Sequence, residues 1–327
     1  VTSMPYEEVL DPGPALGRRR RPRLSVALGI LWLVVPLVLF VLDRSVLLAG
    51  NPAQVIALAA CGLIGVVLLA RDRSEADGVR PEHGRPWRRA VGRTLGVLVT
   101  LVVLGALVWL RPFAATPEAV AAMSDSAQVR ITDAPAHIVI TPTSGTPTRG
   151  LIFQPGARVD PRAYVPMLAE VSRQGVLVVV VKQPFGIGFL AMTAPDTFIE
   201  RHPEVTSWAV GGHSLGGVVA TTYAHDHPGT VKGLLLWASY PVGSLAGRTD
   251  LSVASVSGSR DGFTTPADVE ASRSLLPGDT AYTRVEGAVH SFFGDYGDQP
   301  GDGTPTVDRV TAQRQIVDAT VALMDSL

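Results

Sequence analysis

The residues best suited to chemistry lie in one octapeptide, Val210-Gly-Gly-His-Ser-Leu-Gly-Gly217. It contains the pattern G-x-S-x-G as Gly212, His213, Ser214, Leu215 and Gly216. In a chain with 33 glycines such a pentapeptide arises easily by chance, and a tight structural turn would also explain it. Its surroundings give it weight. An apolar run ending Trp208-Ala-Val210 precedes it, and a helix-forming run from Val218 to Ala224 follows. A serine on a sharp strand-to-helix turn is presented for nucleophilic attack, provided that the residues two positions away are small. Gly212 and Gly216 leave that room. The helix that starts here also offers free backbone N–H groups to a developing negative charge.

A serine hydroxyl is a weak nucleophile near neutral pH and needs a base held by an acid. On a strand–turn–helix elbow the chain order is serine, then acid, then histidine. Downstream of Ser214 stand His225, His227 and His290. The first two end the helix after the serine, and are expected at the surface. His290, in the loop after the last strand-like run, is the expected base. Asp261, in Ser257-Gly-Ser-Arg-Asp-Gly262, is the expected acid, although Asp-Gly is also an ordinary turn. Asp268, Asp295 and Asp298 are weaker candidates, because the first reads as helical and the others follow the histidine.

A tetrahedral intermediate needs two N–H donors aimed at its oxyanion. Leu215 N–H is one. The second is expected from Pro155-Gly-Ala157, with Ala157 preferred and Gly156 the alternative. Phe185, Ile187, Phe189, Leu190 and Met192, with Phe292, are expected to line an acyl pocket, with packing against the sheet as the plain alternative. In the stretch from His290 to Gly303, Asp295, Asp298 and Asp302 alternate with glycines, but the spacing fits no EF-hand loop. No metal or cofactor is expected. Phe292, Phe293 and Tyr296 are instead expected to pack around the base and shape the pocket mouth.

These groups need a scaffold. Apolar, β-branched runs fall at 128–132, 137–141, 150–154, 176–181, 207–211, 231–237, 251–256 and 281–285. Helical stretches fall at 161–174, 215–225, 266–276 and 307–327. Runs as continuously apolar as Val176-Leu-Val-Val-Val-Val181 suit strands buried on both faces of a parallel sheet. Alternating strands and helices predict a mostly parallel, doubly wound α/β domain over 127–327.

The first third is a different object. Residues 1–111 carry net charge +6 and residues 112–327 net charge −7. The acidic part lacks a basic stripe, which excludes nucleic acid as a partner. Residues 1–23 read as a disordered, arginine-rich segment. Charge-free runs at 24–42, 53–70 and 94–110 are each long enough to span a bilayer. A cleaved signal peptide would explain the first run alone. Residues 111–126 read as a partly helical tether. Arginines crowd the segment before the first run and the loop between the second and third, whereas the loop between the first and second has only Arg44, beside Asp43. Positively charged loops stay in the cytoplasm. Three spans therefore place the acidic domain outside; an even number would reverse this. Cys61, the only cysteine, lies within the second run, so no disulfide forms inside the chain.

Residues 128–327 resemble the α/β-hydrolase superfamily, and in particular its small, lid-poor branch related to dienelactone hydrolases. The resemblance rests on Phe153-Gln-Pro-Gly-Ala157, Gly212-His-Ser-Leu-Gly216, Gly258-Ser-Arg-Asp-Gly262 and His290, in that order. It departs from that branch at position 214, where dienelactone hydrolases carry cysteine, so their substrate class does not carry over. Aspartate-nucleophile members, the haloalkane dehalogenases and epoxide hydrolases, are disfavoured by the same serine. The early loop reads Pro155-Gly156 where a His-Gly pair is usual. The resemblance is specific for fold and nucleophile, not for substrate. Taken together with the three apolar runs, it leads to the expectation of a membrane-anchored serine esterase acting on a small-molecule or lipid-like ester, with membrane lipids contacted by the N-terminal helices. An acyltransferase on the same residues and a catalytically silent binding module remain as alternatives.

Overall fold

The computed structural model describes residues 23–77 and 86–327. The segment 1–22 and the loop arginines Arg80 and Arg85 lie outside the described residues. The described parts of Val1–Leu37 and Ala60–Leu104 form one compact unit, and Val38–Ala59 with Gly105–Leu327 form the other.

Helices α1 (Arg23–Leu42), α3 (Ala53–Asp77) and α4 (Pro86–Trp109) are long, with the short α2 (Arg44–Ala49) between the first two. Three segments, Leu24–Leu42, Ala53–Arg71 and Ala90–Trp109, are long and apolar enough to cross a membrane. Within the first unit, Gly65 lies against the backbone of α1 so closely that a Cβ there would come within 2.7 Å of Leu33 N. Small residues at such crossings let helix backbones approach in an apolar medium. Trp32 Nε1 donates to Thr100 Oγ1 at 2.8 Å, which gives both buried polar groups a partner.

In the second unit, α5 (Pro117–Ala121) leads into an eight-stranded sheet. Its strands are β1 (Val129–Ala134), β2 (His137–Pro142), β3 (Arg149–Gln154), β4 (Val176–Val181), β5 (Ser207–His213), β6 (Gly233–Trp237), β7 (Ser252–Gly258) and β8 (Ala281–Val285). They lie in the order β1-β2-β4-β3-β5-β6-β7-β8. β1 and β2 are antiparallel to their neighbours, and β4 through β8 pair in parallel. Every expected strand is present. In β4, Val176, Val178 and Val180 enter one core, while Leu177, Val179 and Val181 enter the other. A sheet apolar on both faces has to be covered on both. Helices α6 (Val165–Ser172) and α10 (Arg309–Asp325) cover the first face. Helices α7 (Ala194–Arg201) and α8 (Leu215–Asp226) cover the second. α9 (Pro266–Ser272) starts with a capping box between Thr265 and Asp268.

Parallel strands place all their carboxyl ends on one edge. Four non-glycine residues have positive φ there: Arg158 after β3, Phe185 after β4, Ser214 after β5 and Ala238 after β6. Backbone strain of this kind costs about 1–3 kcal/mol per residue and gathers at functional sites.

Candidate active site

Ser214 sits between β5 and α8 at φ 53°, ψ −123°. Its N–H donates to Trp237 O at 2.9 Å, and Ser239 Oγ donates to its carbonyl at 2.7 Å. These bonds hold the strained turn. The flanking glycines are required by close approach. A Cβ on Gly216 would lie 2.0 Å from Gln154 O, and one on Gly212 would lie 2.4 Å from the Gly216 carbonyl carbon. The Ser214 hydroxyl has no hydrogen-bond partner among the described residues and is partly exposed. Catalytic contacts of this type often tighten only when substrate binds.

Past the ends of β7 and β8, the structure brings Asp261 and His290 together. Asp261 Oδ2 lies 2.8 Å from His290 Nδ1, and both side chains are buried. The other carboxylate oxygen accepts the N–H groups of Phe263 (2.8 Å) and Thr264 (2.7 Å), so the acid is fixed by its own turn. The His290 ring is flanked by His213, at 4.5 Å between centroids, and edge-on by Phe263 at 5.2 Å. His225 is exposed and His227 partly so, both at the far end of α8.

The two alternatives for the second oxyanion donor separate clearly. Gly156 N–H donates to Tyr164 Oη at 2.9 Å and is already used. Among the described residues, Ala157 N–H and Leu215 N–H have no partner, and both residues are partly exposed. Gln183 steadies this loop, with Nε2 donating to Gln154 Oε1 (2.9 Å) and Pro155 O (3.1 Å).

Four residues important to this geometry were not assigned these roles from the sequence. Tyr164 Oη lies 2.9 Å from His213 Nδ1. Because the hydroxyl oxygen already accepts the Gly156 N–H, its own O–H is left to donate to that nitrogen. Burial first, and then the neighbouring His290, hold the His213 pKa well below its ordinary 6.5, with the His290 backbone slightly opposing. His213 is therefore neutral. Asp302 binds the backbone of two loops, accepting from His290 N (3.1 Å), Ser291 N (2.8 Å), Gly262 N (3.2 Å) and Gly303 N (2.8 Å). That is work for a backbone cap rather than a metal ligand. Among the described residues, no group of three or more His, Cys, Asp or Glu side chains is placed to hold a metal ion. Phe263, 43% exposed and beside His290, is the fourth. The signal for Phe263 was its position just after the acid.

The expected pocket aromatics are placed unequally. Phe185 and Phe189 lie in the loop after β4, with Phe189 49% exposed. Phe292 is in the core beneath the Arg309 guanidinium, at 4.5 Å, and does not line an open pocket. Its helical turn (His290–Phe293) directs it inward. Phe293 and Tyr296 pack around His213 rather than at a mouth, with Phe293 stacked on its ring at 5.8 Å.

The strained serine and the buried Asp–His pair thus lie at the carboxyl edge of a doubly wound, mostly parallel sheet. Residues 150–315 match the Alpha/beta hydrolase family, and the chain belongs to that family. It is similar in structure to a CIB-like hydrolase assigned from Thermoplasma acidophilum, at TM-score 0.45 and 18% identity over 60% of this chain and 98% of that one. It is similar also to a protein assigned as a dienelactone hydrolase from Klebsiella pneumoniae subsp. pneumoniae, at TM-score 0.45 and 15% identity over 61% of this chain and 98% of that one. No curated protein matches the chain.

Proposed function

We propose that this hydrolase is a membrane-anchored serine esterase. The observation that carries the reading is the strained Ser214 on the sheet edge that also holds the Asp261–His290 pair and, among the described residues, the unpartnered N–H groups of Ala157 and Leu215. Ser214 Oγ attacks the ester carbonyl as His290 Nε2 takes its proton. The oxyanion is bound by the two N–H groups, each worth about 3–4 kcal/mol in the transition state. Collapse breaks the ester C–O bond, and His290 returns the proton to the leaving alcohol. A water, deprotonated by His290, then cleaves the acyl-enzyme and restores the serine. Asp261 holds the imidazole with Nδ1 protonated throughout.

The three apolar helices anchor the chain, and the arginines before the first helix and between the second and third favour the cytoplasm. The hydrolase domain then lies outside. Protease added to intact cells should degrade it; cleavage only after permeabilisation would place it inside. The activity is tested by labelling the purified protein with a fluorophosphonate probe. Wild type should react, and Ser214→Ala and His290→Ala should not. A folded wild-type protein that takes no label would leave the silent binding module as the better reading.

A further inference from the structure

The membrane end of the chain meets the sheet at its active edge. α4 ends at Trp109, and four residues later Phe113 pairs with the loop after β3. Phe113 N–H donates to Arg158 O at 2.7 Å, and Asp160 N–H donates to Phe113 O at 2.9 Å. Four residue steps span at most about 14 Å. Arg158, next to the free N–H of Ala157, donates to the Trp109 carbonyl and lies over the Trp109 ring at 4.7 Å and the Phe113 ring at 4.9 Å. The link before α3 reaches the same edge, because Asn51 Nδ2 donates to the carbonyl of Lys182, just after β4, at 2.9 Å. Gln54 Nε2 donates to Leu110 O at 2.8 Å, and Arg111 Nε pairs with Asp43 Oδ2 at 2.8 Å. The carboxyl ends of α1 and α4 and the amino end of α3 are thus tied to one another beside the oxyanion loop.

The surface of that edge is apolar. Phe189 and Leu190 after β4, Tyr240 and Val242 after β6, and Phe263 after β7 are all exposed, Val242 at 68%. Among the large apolar side chains exposed in residues 112–327, only Val120 and Val310 lie outside these loops. Exposed apolar side chains gathered at one edge mark a binding surface, and this edge is held a few residues from the ends of the apolar helices.

We propose that this rim rests in the interface of the bilayer that holds the three helices. Ser214 then draws its substrate from that leaflet: an amphiphilic carboxylic ester whose acyl chain stays among the lipids while its carbonyl reaches the site. The substrate class rests on the serine-esterase reading; the docking does not. Apolar side chains of this kind enter about 5–10 Å into the headgroup region, and the short tether keeps the rim at the surface without further binding energy.

The test uses the full chain in phosphatidylcholine vesicles. A fluorophore is attached at Val242→Cys on the rim, or at Thr230→Cys, exposed just before β6 at the opposite edge, both in a Cys61→Ala background. Lipids bearing a nitroxide near the headgroup should quench the Val242 label and leave the Thr230 label bright. Val242 fluorescence that such lipids do not quench would overturn the proposal. If that label also resisted aqueous iodide, a second copy or another protein would be the occupant. In the same vesicles, Tyr240→Ser with Val242→Ser should lower turnover of a long-chain ester in the bilayer about tenfold, with hydrolysis of a short soluble ester unchanged. Equal effects on both esters would overturn the substrate assignment. Fluorophosphonate labelling reports separately on the serine, so failure of that reading cannot be mistaken for failure of docking.

Discussion

The Tyr164 hydroxyl joins His213 Nδ1 at 2.9 Å while accepting the Gly156 N–H at the same distance. One buried phenol therefore fixes the loop after β3 against the elbow after β5. It also decides which N–H groups are left for an oxyanion, because the Gly156 donor is consumed. Burial raises the Tyr164 pKa far above its ordinary 10, so it serves as a neutral donor and acceptor.

Tyr164→Phe should leave Gly156 N–H and His213 Nδ1 buried without partners. At roughly 1–3 kcal/mol for each orphaned group, the expected loss is about 3 kcal/mol in urea denaturation. Turnover should fall as well, since the freed loop carries Ala157. An unchanged midpoint would show that water replaces the hydroxyl.

His213 makes stability depend on pH. Its folded pKa is depressed, whereas the unfolded chain titrates near 6.5. Between those values the unfolded chain binds more protons, so stability is complete above about pH 6.5 and falls by about 1.4 kcal/mol per unit as pH drops below it. His137, lowered mainly by burial, adds in the same direction. Unfolding free energies measured from pH 7 to 5 should fall less steeply in His213→Asn than in wild type. Parallel curves would mean that His213 does not carry this dependence.

Asp261→Asn should preserve the fold and the acceptor for Phe263 and Thr264 N–H groups, yet hold His290 in the wrong tautomer. The expected loss in kcat is about 10⁴-fold, with little change in the thermal midpoint. A loss below tenfold would remove Asp261 from the mechanism.

Asp302 touches no reacting atom, but it caps the His290 and Ser291 N–H groups. Asp302→Ala should lower kcat by about 10²-fold through displacement of His290, and Asp302→Asn should recover part of it. A change confined to KM would place Asp302 in substrate binding instead.

Much of the scaffold was legible in the sequence, because it is written in local pattern. All eight strands follow from apolar, β-branched runs, and the elbow follows from Gly212 and Gly216 around Ser214. The helix α7 was missed: in Ala194–Arg201 only Pro195 and Phe198 are buried, too few to show a helical period. The helix α2 is not legible because its six residues hold fewer than two turns, too few for a helical period to show.

The sequence by itself determined the order of Ser214, Asp261 and His290, the alternation of strands and helices, and three spans' worth of apolar chain. These depend on residue type and spacing along the backbone. The tertiary structure decided which of Gly156 and Ala157 keeps a free N–H, that Phe263 rather than Phe292 stands open beside His290, and that Asp302 caps the histidine loop. It also decided that Trp109, the end of the last apolar helix, is tied to Arg158 beside the active edge. Each is a contact between loops that follow different strands or helices. Periodicity along one segment carries no information about such contacts, which exist only once the sheet has set its strand order and brought those loops to one edge.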